Sequence, residues 1–515
     1  MGKSLKNYEG DFVKSVLVVC AATVMATSAM AANRAPQNAA PVLRESSLDI
    51  STTSYPWMSS TEFKEAVKTA HDRGNRKVAS SGIDYESQMS DNLKEIRAKI
   101  LAVKSPAQID SLINEYQAKF DTLAPDAKML MAQLVLLQPF KGIVYRIAPL
   151  AAKTNVTHSV MLSFVMRQAA QMKVYFPTEQ ANALFAYLTQ PYDGVVQFKE
   201  GEEFQAFLGD VVYPAALKSA ETIKGIPVST PLVWDNKILY AGIVDANIDT
   251  QDRYTLIGSA EKWALLAAKQ MGLHYLTAFR SYSVKNVMAM SKEMGSLYGV
   301  DGFTTSLLPN GSVDGVNSLE RTAVFKKPKY AGTFILYRDG RLWMERSFNH
   351  MKEAVSYLRI AWEEVKDKPA AENFLLNPAF FVGFDRQINN HLSVLEEMVQ
   401  GPTKIRSRLT GETMVVDLKG FYMNPPNDVK SLLPTSFDMT QKFSKTQIKV
   451  GKSAKAEDVS YYNYFHGRPT DWNVNAYKTI FPEIKKGSDV STAARVLAQS
   501  WGGVVLAGPL RAVVR

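Results

Sequence analysis

Cysteine is almost missing: Cys20 is the only one in 515 residues. It falls inside an N-terminal stretch with the layout of an export signal, so the processed chain is expected to hold none. That excludes a disulfide framework and a thiolate metal site. Stability must then come from a hydrophobic core, and a chain of this length can build one in two or three domains. Long apolar runs are also missing after the N-terminus. Met129–Leu137 is too short to span a bilayer, and Met161–Phe176 carries Arg167 and Lys173. No transmembrane segment is expected in the processed chain. The C-terminal Arg515, where a barrel strand would end in an aromatic residue, argues against an outer-membrane barrel.

Histidines are few and isolated: His71, His158, His274, His350, His391 and His466. None follows another at zinc-binding spacing, and none follows a Glu at the di-iron spacing. No local metal motif or cofactor is expected. His350 and Glu353 share a helix face and read as a surface pair. Gly-x-Ser-x-Gly does not occur, which removes the hydrolase elbow. Gly451-Lys452-Ser453 has Thr446 where a phosphate loop needs its first Gly.

What is present begins with an export signal. Lys3, Lys6 and Lys14 precede the apolar run Val16 to Ala26, and Ala29-Met30-Ala31 is a small-residue cleavage site. Residues 1–31 are expected to be a signal peptide cut before Ala32, placing the chain in the periplasm or outside the cell. Residues 32–56, rich in Ala, Pro, Ser and Thr, read as a flexible leader.

The rest is predicted to be mainly α. Residues 57–225 read as a helical domain, a multi-helix bundle or irregular α-solenoid. Ser90 is an N-cap ahead of Leu93, Ile96 and Ile100. Ser105-Pro106 and Ala124-Pro125 open two more helices, and Thr157 to Tyr175 and Thr178 to Leu188 supply others. Residues 226–401 read as a central helical domain built on a long helix pair. Apolar spacing runs from Trp263 through Leu266, Leu273 and Leu276 to Leu297, with Gly272 as the expected interruption. Leu232–Trp234 with Ile238–Tyr240, and Phe334–Tyr337 with Leu342–Met344, look like hairpins. A helix is expected from Arg346 to Lys366, and another from Gln387 to Val399. Residues 402–515 read as a basic α+β section with minor hairpins, one around Thr410-Gly411-Glu412, and a last helix from Asp489 to Trp501.

Charge is uneven. The chain carries +10 overall, and residues 402–515 hold 17 Lys or Arg against 9 Asp or Glu. Lys442, Lys445, Lys449, Lys452 and Lys455 stand in Ser- and Thr-rich sequence with few acids, and form the candidate anion-binding set. Tyr461, Tyr462, Tyr464, Phe465, Arg468 and Trp472 add an aromatic stretch that reads as core or as a stacking platform. The expected partner is an anionic envelope polymer or a protein. Nucleic acid is disfavoured in an exported setting.

One catalytic pattern stands beside this reading. Ser259-Ala260-Glu261-Lys262 is an S-x-x-K at a helix start, Ser347-Phe348-Asn349 an S-x-N, and Lys449-Val450-Gly451 follows a strand. The order resembles penicillin-binding enzymes and serine β-lactamases. The resemblance implies a Ser259 nucleophile activated by Lys262, with Ser347 and Asn349 beside them and Lys449 orienting a substrate carboxylate on peptidoglycan. It covers three short motifs only. Val450 stands where a hydroxyl belongs, and the helical N-terminal half lacks that fold's sheet. The leading expectation is therefore a non-enzymatic envelope scaffold or binding module, and the exported acyl-enzyme is the alternative.

Overall fold

The computed structural model describes residues 84–153, 179–235, 254–297, 318–366, 376, 385–438, 443–449, 458–464 and 468–501. The export signal, the leader and the Thr157–Tyr175 helix lie outside them. The described chain is mainly α, with small two-stranded antiparallel pairings.

The first bundle comprises α1 (Asp91–Leu101), α2 (Pro106–Ala118), α3 (Pro125–Leu134), α4 (Ile143–Lys153) and α5 (Glu179–Thr189). Local chemistry sets the starts. Ser90 accepts the Leu93 amide at 3.1 Å, and Pro106 and Pro125 occupy first turns where an N–H has no partner anyway. The buried Asp126 carboxylate fastens α3 to α1 by accepting the Ser90 amide at 2.9 Å and hydroxyl at 2.6 Å. Next come α6 (Gly201–Phe207), one π turn (Leu208–Val212) and α7 (Tyr213–Gly225) without interruption. Pro214 lacks the N–H that an α turn would use there, which favours the wider turn.

β1 (Leu232–Asp235) pairs with β2 (Tyr254–Ile257), and Ile238–Tyr240, expected as its hairpin partner, lies outside the described residues. Leu232, Val233, Tyr254 and Leu256 complete the core of the first bundle with Ile96, Ile113 and Leu130. This pair therefore packs across the expected division at residue 225.

The centre is an antiparallel helix pair, α8 (Ser259–Arg280) and α11 (Gly340–Lys366). Between them lie α9 (Val287–Leu297) and α10 (Ser318–Phe325). Two sequence expectations need correction. Gly272 does not interrupt α8; it is buried mid-helix, and the break falls at residues 281–286. Leu342–Met344 is not a strand but the first turn of α11. Residues 334–337 instead bridge to the loop after α8, with the Phe334 amide on the Ser283 carbonyl at 2.7 Å and the Tyr337 amide on the Ser281 carbonyl at 3.0 Å.

Gly340 is required by this joint. A Cβ there would stand 2.5 Å from the Ser281 carbonyl oxygen and 2.7 Å from Leu336 Cδ1. Gly340→Ala should destabilise by about 2 kcal/mol in equilibrium urea unfolding, in the range of overpacked cores. Gly225→Ala, with nothing within 4 Å, is the control expected to stay near zero. Equal stabilities for the two variants would contradict the close approach.

The last section adds α12 (Asp385–Met398), the hairpin β3 (Thr403–Arg406) with β4 (Thr413–Val416), and α13 (Leu418–Met423). β5 (Pro434–Asp438) pairs with β8 (Arg468–Trp472), and β6 (Phe443–Lys449) with β7 (Asp458–Tyr464). α14 (Val474–Tyr477) and α15 (Asp489–Gln499) follow. Phe348, Met351 and Val355 of α11 share one core with Ile405, Val416, Phe481 and Val496. The basic section is thus built onto the central pair. Among the described residues no helix is long and apolar enough to cross a membrane.

Candidate functional site

The nominated nucleophile and base diverge. Ser259 opens α8 and donates its hydroxyl to Glu364 of α11, whose carboxylate also accepts Trp263 Nε1–H at 2.8 Å. Lys262 is 1% exposed and turns to the other side, donating to the Ile226 carbonyl. Burial holds its pKa below the ordinary lysine value, with Glu364 partly opposing. The amine is spent on a backbone oxygen, not on the Ser259 hydroxyl.

Ser347 lies far from both. It faces His274, about 15 residues or ~22 Å along α8 from Ser259. Its hydroxyl donates to the His274 carbonyl at 2.9 Å, and His274 Nδ1 stands 2.8 Å from Ser347 Oγ and 3.0 Å from the Ser347 carbonyl. A carbonyl only accepts, so Nδ1 carries the proton. Burial lowers the His274 pKa to about 4, and the ring is neutral at pH 7. Serine and imidazole in contact have the composition of a nucleophile and its base. Here Ser347 is 0% exposed and its proton is committed to a carbonyl, so the pair closes α8 against α11. Asn349 is exposed on another face of α11. Lys449 ends β6 opposite Asp458.

His350 is held in the same seam. Its Nδ1–H donates to Gln270 Oε1 at 2.6 Å, and Nε2 accepts from the Tyr213 hydroxyl at 3.3 Å. The Glu353 pairing read from helical spacing is not the contact it makes. The residue the sequence concealed is Lys269. It is 2% exposed and donates to Ser219 Oγ at 2.8 Å, and Ser219 in turn donates to the Ala132 carbonyl. Burial pushes its pKa down to about 7. A signal was available: Lys262 and Lys269 fall in phase with Leu266 and Leu273, one buried stripe of α8.

Of the candidate anion-binding lysines, Lys442, Lys452 and Lys455 lie outside the described residues. Lys445 and Lys449 lie on β6, opposite Tyr462 and Asp458 in register. Trp472 belongs to the core at 3% exposure, so it is no stacking platform. Tyr461, Tyr462 and Tyr464 are on β7, Arg468 opens β8, and Phe465 falls outside the described residues. The section shows other cations. Lys404 and Arg406 alternate on the outward face of β3, and Lys419, Lys478, Lys485 and Lys486 are also exposed. None makes an ion pair with a described residue. Nearby acids are committed: Glu412 pairs with Arg495 at 2.8 Å, Glu483 accepts the Val415 amide, and Asp489 accepts the Lys485 and Lys486 amides. Those amides hold the Asp489 pKa below its ordinary value. No sequence-family model, curated protein or solved structure matches this chain.

Proposed function

We propose that the chain is an exported, non-enzymatic helical scaffold or binding module of the cell envelope. Its basic C-terminal section meets an anionic envelope polymer or an acidic protein surface. The observation behind this reading is the set of six exposed cations without ion pairs among the described residues, Lys404, Arg406, Lys419, Lys478, Lys485 and Lys486, beside acids already consumed. Such a surface attracts polyanions at a range set by salt, near 8–10 Å at physiological ionic strength.

The test uses the whole chain, because cutting at Gly401 would split the core shared by α11 and the last section. Wild type and the triple variant Lys404→Glu, Lys485→Glu, Lys486→Glu are co-sedimented with isolated envelope fractions at low and high salt. Wild-type binding should weaken at high salt, and the variant should bind at least about tenfold more weakly at low salt. Binding indifferent to both salt and charge reversal would refute the reading.

A further inference from the structure

An open groove of about 430 Å³ lies between the end of the first bundle and α6, lined by Arg146, Val196, Phe198, Glu203, Phe207 and Asp210 among others. The volume falls within the roughly 300–1,000 Å³ of small-ligand sites. Arg146 projects from α4 and sits over two rings at once. Its Cζ is 4.2 Å from the Phe198 centroid and 4.2 Å from that of Phe207, and the two rings are 5.3 Å apart at 41°. Nε–H donates to the Val196 carbonyl at 3.2 Å. The Phe198 amide returns a bond to the Arg146 carbonyl at 2.8 Å, which fixes the strand of chain carrying the ring to the helix carrying the cation. The guanidinium is therefore oriented by two rings and one hydrogen bond, and none of these uses Nη1 or Nη2.

Arg146 differs from the ion-paired arginines of the fold. Arg97, Arg280, Arg359 and Arg495 each meet a carboxylate. Arg146 meets none among the described residues, and residues 154–178, which follow α4, contain no Asp or Glu. The two acids of the groove are engaged elsewhere. Asp210 pairs with Arg280 at 2.5 Å, and Glu203 accepts the Lys199 amide at 2.6 Å. Partial burial lowers the Arg146 pKa, the mark of a cation held out of water without compensation. Val196 and Val211, 68% and 46% exposed, give the groove apolar walls at its rim.

We infer that this groove binds a carboxylate attached to a short apolar body, with the two free Nη groups of Arg146 gripping both carboxylate oxygens. A guanidinium fork matches a planar carboxylate bidentately, and stacking on rings leaves that fork preorganised. Of the two cations on the lining, Arg146 is held by rings and Lys199 is exposed to solvent, and with Glu203 and Asp210 beside them the groove favours a monoanion over a dianionic phosphate. The valines take the apolar part. Two sources carry this chemistry, the C-terminus of a peptide and a free aliphatic acid.

The experiment is isothermal titration of the full chain with N-acetyl-Ala-Val as free acid, the same dipeptide as its amide, hexanoate, and inorganic phosphate. The free acid should bind at least about tenfold more tightly than the amide, and phosphate should not compete. Binding of hexanoate with similar affinity assigns the site to free acids; its failure beside a binding dipeptide acid assigns it to peptide termini. Arg146→Met should lose at least about tenfold, and Arg146→Lys, which keeps the charge but loses the fork, should lose severalfold. Acid and amide binding alike would overturn the inference, as would phosphate competition or no binding of either carboxylate. The acid–amide comparison needs no variant, so an unstable Arg146→Met leaves the test intact.

Discussion

Lys269→Met should make the protein more stable at pH 7, by up to about 4 kcal/mol. Lys269 is 2% exposed, its amine donates to the neutral Ser219, and among the described residues no carboxylate offsets its burial. Its pKa falls from the ordinary 10.5 to about 7 in the folded chain. Between those values the unfolded chain is protonated and the folded one is not. The burden is therefore full at and below pH 7 and fades as pH rises toward 10.5. Methionine fills a similar volume without the charge. Ser219 keeps its own donation to the Ala132 carbonyl, so no buried donor is orphaned. Urea unfolding at pH 7 and pH 9 reads the effect. The gap between variant and wild type should narrow by roughly 2 kcal/mol over that interval. A variant less stable than wild type at both pH values would mean that the amine contributes more through Ser219 than burial costs.

The burial of Lys269 was not legible in the sequence. Lysines signal solvent, and Lys262 and Lys269 look like the polar side of α8. Only their phase with Leu266 and Leu273 places them inside, and a charge in a core stripe is rare enough that propensity alone points outward. Elements set by local chemistry were legible: the Ser90 cap, the Pro106 and Pro125 first turns, and the hairpin around Gly411, whose φ of 73° suits glycine. Elements set by distant packing were not. Gly272 costs helix propensity but is buried in α8, where tertiary packing overrides that cost. Asp339-Gly340 has turn chemistry, yet its glycine answers the Ser281 carbonyl of another segment. Trp234 pairs with Thr255, about twenty positions on, and no local pattern announces such a partner.

The candidate sites divide the same way. S-x-x-K spacing puts two side chains near one helix face but leaves open where each turns. Neighbouring elements decided it: Glu364 draws Ser259 toward α11, and the Ile226 carbonyl draws Lys262 away. The basic character of the last section was legible as composition. Which cations stand free was not, because that depends on how Glu412, Glu483 and Asp489 are used. Arg146 carried no mark at all, since Phe198 and Phe207 reach it from about 50 to 60 positions away.

Acidification from pH 7 to pH 5 should cost about 2 kcal/mol of stability through His274 alone. Burial holds this imidazole at about 4, against 6.5 when exposed. As pH falls below 6.5 the unfolded chain takes up the proton first, and the folded chain follows only near 4. Stability from the neutral ring is thus complete above pH 6.5 and lost progressively down to pH 4. His350 and His391 are also held at about 4, chiefly by burial, with Arg346 and Arg408 adding to it, so they act in the same direction. Paired carboxylates do not confuse the window. Glu293, held at about 2 by Lys327 and Lys329, stays ionised in both states at pH 5, and its contribution fades only below about 4.5. His274→Asn separates the ring's charge from its place in the seam. The amide can still donate to the Ser347 carbonyl, but it does not titrate. Thermal and urea unfolding across pH 7 to 5 should show the variant losing about 2 kcal/mol less than wild type, whatever its stability at pH 7. If both lose the same amount, the His274–Ser347 contact admits the charged ring, and the seam between α8 and α11 is wetter than its burial implies.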